Sequence, residues 1–406
     1  MMIYDVIVIG GGVAGLNAAI EARKLGAVVL LLESEKRLGG GSLQAIDDDF
    51  VINGKRLAGP EYVAALIEEA EELKVEIATL CFVTSVVKHK KFEVNYISPE
   101  GLGLARAATV ILAVGANELT ANDVFLQGSR PSGIFNASEA QYYLNVLGKL
   151  PTKKCVILGS ENIGLNLARS LTLAGAQVAG IYERNSVIRC NEEKSYYCLT
   201  DLGIPYFLHF TITRVYGEDR VNAVAVAMLE NGEAMQSSIR TIDCDAVIVA
   251  EGLRSDNYLA KKAGARIKDD MVITDQNGET TIDGLFVCGD CHIPFDLPHA
   301  IESAESAGVA AATYKEDPLF AYADIVAGDG IGKIIPSRLD LSTDHSTVTC
   351  FFTADDVYEN ARVTVKKGDE VLYSQVYPRL NPFRAERLCL DFAFAADRDS
   401  ITFLID

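Results

Sequence analysis

The stretch that most constrains this chain is its opening, Asp5 to Glu33, DVIVIGGGVAGLNAAIEARKLGAVVLLLE. An apolar β-branched run, Val6 to Ile9, breaks into glycines at Gly10, Gly12 and Gly15. An amphipathic helix is expected to about Lys24, and a second apolar run, Val28 to Leu32, ends in Glu33. This is strand, Gly-x-Gly-x-x-Gly turn, helix, strand, acid. Gly10 permits the tight turn, Gly12 lets the backbone approach a pyrophosphate, and Gly15 lets helix and strand pack closely. The helix N-terminus then faces the phosphates with unpaired N–H groups and partial positive charge. Glu33 stands where a carboxylate accepts the ribose hydroxyls of an adenosine. Glycines alone would be weak evidence; with strand, helix and acid in place the stretch predicts dinucleotide binding.

The pattern returns at Lys154 to Glu183. Aligned without gaps, Gly10 meets Gly159, Gly15 meets Gly164, Leu16-Asn17 meets Leu165-Asn166, and Gly26-Ala27 meets Gly175-Ala176. Glu183 ends the second strand, one residue later than Glu33 would predict. The chain therefore carries an internal duplication, two dinucleotide-binding folds in tandem. One substitution separates them: Glu161 stands where the first copy has Gly12. Glu161 adds bulk and a negative charge where a pyrophosphate would touch backbone. Two like charges ~4 Å apart cost about 1 kcal/mol in water-like dielectric and several more near a protein surface. The second site is accordingly expected to bind NAD(P)H poorly, the alternative being that Glu161 swings outward.

Between and beyond these copies the elements read in order. Arg37-Leu38-Gly39-Gly40-Gly41 is a glycine run where backbone passes close to a ligand, with Gly40 at its centre. Gly59-Pro60 opens a helix over Glu61 to Leu73. Glu76 to Val87 and Phe92 to Ile97 read as strands of a meander, with the basic run Lys88-His89-Lys90-Lys91 at a solvated hairpin tip. Ala107 to Val114 is a buried strand closed by Gly115, and Asp243 to Ala250, closed by Glu251-Gly252, is its match in the second copy. Thr281 to Asp290 is a strand finishing in Gly289-Asp290. The helix after it, from about Leu297 to Tyr314, has Asp296 as N-cap and Pro298 in its first turn. From about Ala323 short β-rich runs recur (Thr347–Thr353, Arg362–Lys366, Glu370–Tyr377, Leu388–Ala395, Ser400–Ile405), with a hairpin turn at Lys367-Gly368-Asp369; they predict a small β-sandwich. Gly328-Asp329-Gly330-Ile331-Gly332-Lys333 is not a phosphate loop, because Ile334 replaces the needed Ser/Thr and no helix follows.

At 406 residues, 49% of them hydrophobic, the chain is long enough for two or three domains with sizeable cores. Its 37 basic and 56 acidic residues leave a net charge of −19, which argues against a nucleic-acid or anionic-membrane partner. No apolar run approaches the ~18–20 residues of a membrane span, and with a strand beginning at Ile3 no secretory leader is expected. The nine cysteines lack paired spacing and read as reduced thiols of a cytoplasmic protein. No His/Cys/Asp/Glu grouping has metal-ligand spacing.

Taken together, the opening motif, the Gly115 strand, the second fold and Gly289-Asp290 resemble the two-dinucleotide-binding-domain flavoproteins over about residues 1–318. Gly59-Pro60-Glu61-Tyr62, Arg130-Pro131-Ser132-Gly133-Ile134-Phe135 and Leu171 to Ala176 resemble one bacterial branch: the FAD subunits of anaerobic glycerol-3-phosphate dehydrogenases and of opine, sarcosine or cyanide-forming amine dehydrogenases, often found beside partner subunits. The resemblance implies an α/β chain of two tandem Rossmann-like folds plus the C-terminal β module. The FAD domain would comprise 1–118 and 243–320, the NAD(P)-type domain 119–242, and the β-rich domain 323–406. It further implies that Gly10, Gly12 and Gly15 hold the FAD pyrophosphate, Glu33 the ribose and the Val83 backbone the adenine. Asp290 would accept from the ribityl or pyrophosphate region. The helix starting near Pro298-His299-Ala300 would face the pyrimidine end of the flavin. Gly159, Gly164 and Glu183 are the corresponding NAD(P)H-binding candidates.

The chain departs from the family at Glu161 and at Ala45, where relatives with a Leu-Gly-Gly…Gln-Cys segment place a cysteine near the flavin. Gln44 remains and, with His299, is a candidate catalytic residue. A redox Cys-x-x-Cys is missing from both usual positions, and so are the cysteine clusters that bind iron–sulfur centres. Cys288-Gly289-Asp290-Cys291 has the spacing, but its middle residues are the Gly-Asp of the flavin motif and Cys288 ends a buried strand, so it reads as core. The expected function is an FAD-dependent dehydrogenase subunit that exchanges hydride at flavin N5 with a small polar substrate and passes electrons to a partner in a homo- or hetero-oligomer. The alternatives are an NAD(P)H-dependent reductase and a non-catalytic FAD-binding assembly subunit.

Overall fold

The computed structural model describes residues 3–47, 50–52, 54–190, 192–315, 321–341, 347–391 and 399–406. They form two compact units, residues 1–43, 50–116 and 255–406 in the first, 44–49 and 117–254 in the second.

In the first unit the strand Ile3–Ile9 lies parallel between Val29–Leu32 and Gly101–Leu112, and Leu285–Val287 pairs parallel with the end of the latter. Parallel central strands are covered on both faces, so they carry continuous apolar runs; Val6, Ile7 and Val8 are fully buried. The helix Val13–Lys24 covers one face and meets Leu297–Thr313 closely at Gly308, where a Cβ would stand 2.4 Å from the Ala18 carbonyl oxygen. The expected strand Glu76 to Val87 is two elements. Glu76–Ala78 extends the parallel sheet beside Val29–Leu32, and after a break with Leu80 at φ +57° the meander begins at Phe82–Lys88. Ala78 therefore finishes the nucleotide-binding sheet instead of opening the hairpin.

The second unit repeats the topology. Its five-stranded sheet runs Ile134–Asn136, Ala246–Val249, Lys154–Leu158, Gln177–Glu183, Tyr206–Leu208, every pair parallel. Ala246–Val249 belongs to this sheet, so the chain returns to the first unit at Ser255 and not at residue 243. The reason is physical: the strand's partners are Lys154–Leu158 and Ile134–Asn136, just as Gly101–Leu112 partners Ile3–Ile9.

The C-terminal residues form two sheets, one of five strands and one of three, closed over one core that includes Phe352, Phe403, Val363 and Val365. The strands Tyr358–Lys367 and Glu370–Leu380 turn at Gly368-Asp369 as expected. Ile331–Ile335 is a strand, in keeping with the rejected phosphate loop. The expected run Leu388–Ala395 is strand over Glu386–Asp391, and its residues 392–395 lie outside the described residues. This module groups with the first unit and is not a separate body.

Candidate functional site

The three glycines of the first turn are glycine for different reasons. Gly10 has φ +104°, and a Cβ on it would stand 2.3 Å from the Ala113 carbonyl oxygen; on Gly15 a Cβ would stand 1.8 Å from the Gly10 oxygen. Both are demanded by the chain's own packing. Gly12 is not. Its φ of −73° suits any residue, and a Cβ there meets nothing within 4 Å. The space over Gly12, at the N-terminus of Val13–Lys24, is open in the way an incoming pyrophosphate requires. Gly39 donates from its N–H to the Gly11 oxygen at 2.7 Å, and Gly40 lies against Gly12. Gly115 is open as well.

Glu33 is buried and already aimed. Its Oε2 accepts from the Gly11 N–H at 2.6 Å and its Oε1 from the Glu35 N–H at 2.7 Å. Cys81 and Leu80 donate to the Glu33 and Glu35 carbonyls, so the segment entering Val83 runs along the end of the acid's strand. These residues fit the adenosine half of FAD: a fixed carboxylate, a backbone edge and a bare helix terminus.

The other half converges from the C-terminal part of the first unit. Gly289, with φ +64°, presses on the start of Val13–Lys24, where its Cβ would stand 2.6 Å from that of Ala14. Asp290 follows; burial, with Asp296 adding repulsion, pushes its carboxyl up to about 6. An acid so placed suits a hydroxyl donor. Asp296 caps Leu297–Thr313 by accepting from the His299 N–H at 2.9 Å, and Ala300 is buried in the same turn. The His299 ring is 1% exposed and enclosed by Phe351 (centroids 4.8 Å apart), Phe295 (5.5 Å) and His292 (6.1 Å). Burial pulls its pKa down to about 4 against the opposing pull of Glu302. It is therefore a neutral imidazole near pH 7, with no partner for Nδ1 among the described residues, and not a ready proton donor. His292 is driven lower still, to about 3, and its Nε2 lies 2.8 Å from Thr274 Oγ1.

Gln44 groups with the second unit, its carbonyl accepting from the Asn145 amide at 2.8 Å, so it is not in the same compact unit as His299. Cys288 and Cys291 are fully buried thiols whose pKa burial raises, Cys291 to about 12, and Cys291 Sγ lies 3.2 Å from the Asp256 carbonyl oxygen. Among the described residues no two cysteines form a disulfide. Neither thiol of the pair is set up as a thiolate. Among the described residues no group of three or more His, Cys, Asp or Glu side chains could hold a metal ion, and no helix is long and apolar enough to cross a membrane.

The second cradle has the same frame and a different filling. A Cβ on Gly159, at φ +92°, would stand 2.1 Å from the Ala250 oxygen, and one on Gly164 2.5 Å from the Ala250 Cβ. Glu183 is 1% exposed and accepts from the Ser160 hydroxyl at 2.5 Å and from the Asn185 N–H at 2.9 Å. Over the turn lies Arg189, which the sequence reading missed. Its guanidinium reaches Glu161 at 3.3 Å, Glu183 at 3.2 Å and Glu251 at 2.9 Å, and it also donates to the Glu251 carbonyl. Arg184 joins at 3.2 Å from Glu251. Gly252, the counterpart of open Gly115, has Arg189 and Glu161 within 3.6 Å of where its Cβ would be. As folded, Arg189 and Glu161 stand over the turn that corresponds to the open Gly12 and Gly115 of the first copy. Three carboxylates against two guanidiniums leave the patch a net acid. The available signal was a basic residue shortly after the strand-ending Glu183.

A sequence model of the family described as pyridine nucleotide-disulphide oxidoreductase matches residues 4–312. Ferredoxin–NADP reductase 3 of Lysinibacillus sphaericus (strain C3-41) is 26% identical over 296 residues, covering 71% of this chain and 81% of that protein. One subunit of the opine oxidase of Agrobacterium tumefaciens (strain Ach5) is 27% identical over 313 residues, covering 71% of this chain and 61% of that protein. Among solved structures, thioredoxin reductase of Lactococcus lactis superposes with a TM-score of 0.63 at 21% identity, covering 76% of this chain and 97% of that one.

Proposed function

The chain belongs to the pyridine nucleotide-disulphide oxidoreductase family, and from that premise we propose that this FAD-dependent oxidoreductase works as a dehydrogenase subunit, taking hydride from a small polar substrate and passing the electrons to a partner protein. The observation that carries this reading is the contrast between the two cradles: open over Gly12 and Gly115, filled by Arg189 and Glu161 over the second turn. In this reading a cradle so filled leaves the electrons to come from a donor other than a nicotinamide nucleotide. The likeness to an opine oxidase subunit fits that arrangement.

In this reading Gly10, Gly12, Gly15 and Gly40 shape the bed of the FAD pyrophosphate. Glu33 accepts from the ribose, Val83 presents its backbone to the adenine, and Gly115 leaves room beside them. Asp290 accepts a hydroxyl of the ribityl chain, and the turn containing His299 and Ala300 meets the pyrimidine end of the ring. When bound, FAD supplies a hydride acceptor at N5; the chain orients it, excludes water on the His299 side and keeps that imidazole neutral. The likeness to ferredoxin–NADP reductases favours a second reading, an NAD(P)H-dependent reductase, which requires Arg189 to give way.

Anaerobic titration of the purified protein with NADH and then NADPH, followed in the visible range, separates the two. The expected result is a yellow protein that neither nucleotide bleaches. Bleaching at near-stoichiometric ratios hands the function to the reductase reading. A colourless protein that takes up no FAD overturns both.

A further inference from the structure

The β module, residues 322–406, lies outside the matched region 4–312, yet it is joined to the first unit along two seams. In one, the Thr274 carbonyl accepts from the Ser337 and Arg338 N–H groups at 3.1 and 3.2 Å, and Gln276 pairs with the Asp340 backbone in both directions. Arg338 donates to the Thr280 carbonyl at 2.6 Å and stacks 3.8 Å from the Tyr322 ring. The other seam reaches the first turns of Leu297–Thr313. Arg387 grips Glu302 with two bonds, 3.0 and 2.9 Å, and Phe351 lies edge-on to His299. Phe351 and Ile335 of the module share one apolar cluster with Ile293, packed by Met271 and Phe295, around the loop that leads into this helix.

We propose that the C-terminal module is a working part of the flavin site, its Phe351 and its Arg387–Glu302 pair holding the first turns of Leu297–Thr313 in place and keeping the His299 imidazole dry and uncharged. The inference rests on the reading that FAD lies in the first cradle with its pyrimidine end toward this turn. Phe351 and Arg387 are positioning residues; they act through His299.

The charged and titratable groups around His299 are Asp296 at the cap, Glu302 one turn on, His292 and Asp290 in the preceding loop, and Arg387 from the module. Glu302 favours the imidazolium, and Arg387 pairs with Glu302 and holds it ionised. Enclosure by Phe351 opposes that pull. Removing the Phe351 ring admits water, the imidazole regains an ionisation near the ordinary value of about 6.5, and a charge appears beside the flavin that its absorption registers.

The test is a visible-absorbance titration of the FAD-loaded protein from pH 5.5 to 8.5. Any step that wild type shows, that of Asp290 included, is the same with His299→Gln as without it. Phe351→Ala gains a further single-proton spectral shift centred near pH 6.5, and Phe351→Ala with His299→Gln loses that added shift. A Phe351→Ala protein that binds FAD and gains no shift, merely less stable, overturns the proposal. If that variant does not fold, Phe351→Val decides: it keeps an apolar side chain in the cluster while removing the ring that covers His299, and no added shift there overturns the proposal too. Wild-type protein that takes up no FAD refutes the FAD reading, a result distinct from a variant that gains no shift.

Discussion

Gly12 and Gly15 look alike in the motif and should respond oppositely to the same change. Gly15→Ala drives a methyl into the Gly10 carbonyl, and neither side is a flexible chain end that can yield. We expect that variant to be poorly folded or destabilised by several kcal/mol. Gly12→Ala meets no protein atom, so the thermal midpoint without FAD should stay within about 0.5 kcal/mol of wild type. FAD affinity should fall at least tenfold, about 1.4 kcal/mol. Equal loss of stability in the two variants would remove the case that the space over Gly12 belongs to a ligand. At this scale much was legible. Gly10 makes the tight turn and Gly15 the close packing expected of them, because strand–turn–helix geometry is local and its spacing is written in consecutive residues. Arg189 was not legible: it gathers Glu161 from 28 residues away and Glu251 from 62 residues away, and only the folded sheet brings them together.

At the scale of the element, the second cradle behaves as an ion cluster built on strand ends and one helix start. Arg189→Ala would leave Glu183 and Glu251 buried without their main cation, a change that costs about 3–5 kcal/mol in such settings. The sign with pH follows from Glu251, whose pKa burial already raises and which would rise further without Arg189. A raised folded pKa means the penalty is absent at low pH and grows as pH climbs through it. Urea midpoints of variant and wild type should therefore lie far apart at pH 8 and draw together toward pH 5; a gap independent of pH would show that Arg189 matters for packing alone. Elements also show where periodicity runs out. Glu76–Ala78 and Phe82–Lys88 merge in the sequence because both are apolar and extended. The left-handed Leu80 between them, which no glycine marks, divides parallel sheet from meander. The long helix was clearer, because Asp296 and Pro298 signal its start directly.

For the molecule as a whole, the seam between first unit and β module is lined by two buried acids, Asp275 and Glu279, which burial pushes up to about 6 and about 7. Acids raised in this way stabilise the fold below their unfolded pKa of about 4 and lose that contribution as pH rises through the folded value. Their contribution should fall between about pH 4 and pH 7, while His292 and His299, whose pKa values burial lowers, contribute in the opposite sense over the same range. Glu279→Gln, which keeps the acceptor for the Gly284 N–H, should flatten that decline and raise the midpoint at pH 8. An unchanged slope would clear Glu279 of the effect. The alternation of short strands foretold the module's sheets, but not its attachment, since Arg338 and Arg387 in the sequence look like any other surface cations. The filled second cradle, finally, bears on how such a protein would sit in metabolism. On the proposed reading it keeps the full scaffold of a nicotinamide site while being deaf to the ratio of NADH to NAD+. Its turnover would follow the supply of its own fuel and the oxidation state of its partner, and respiratory swings in the coenzyme pool would pass it by.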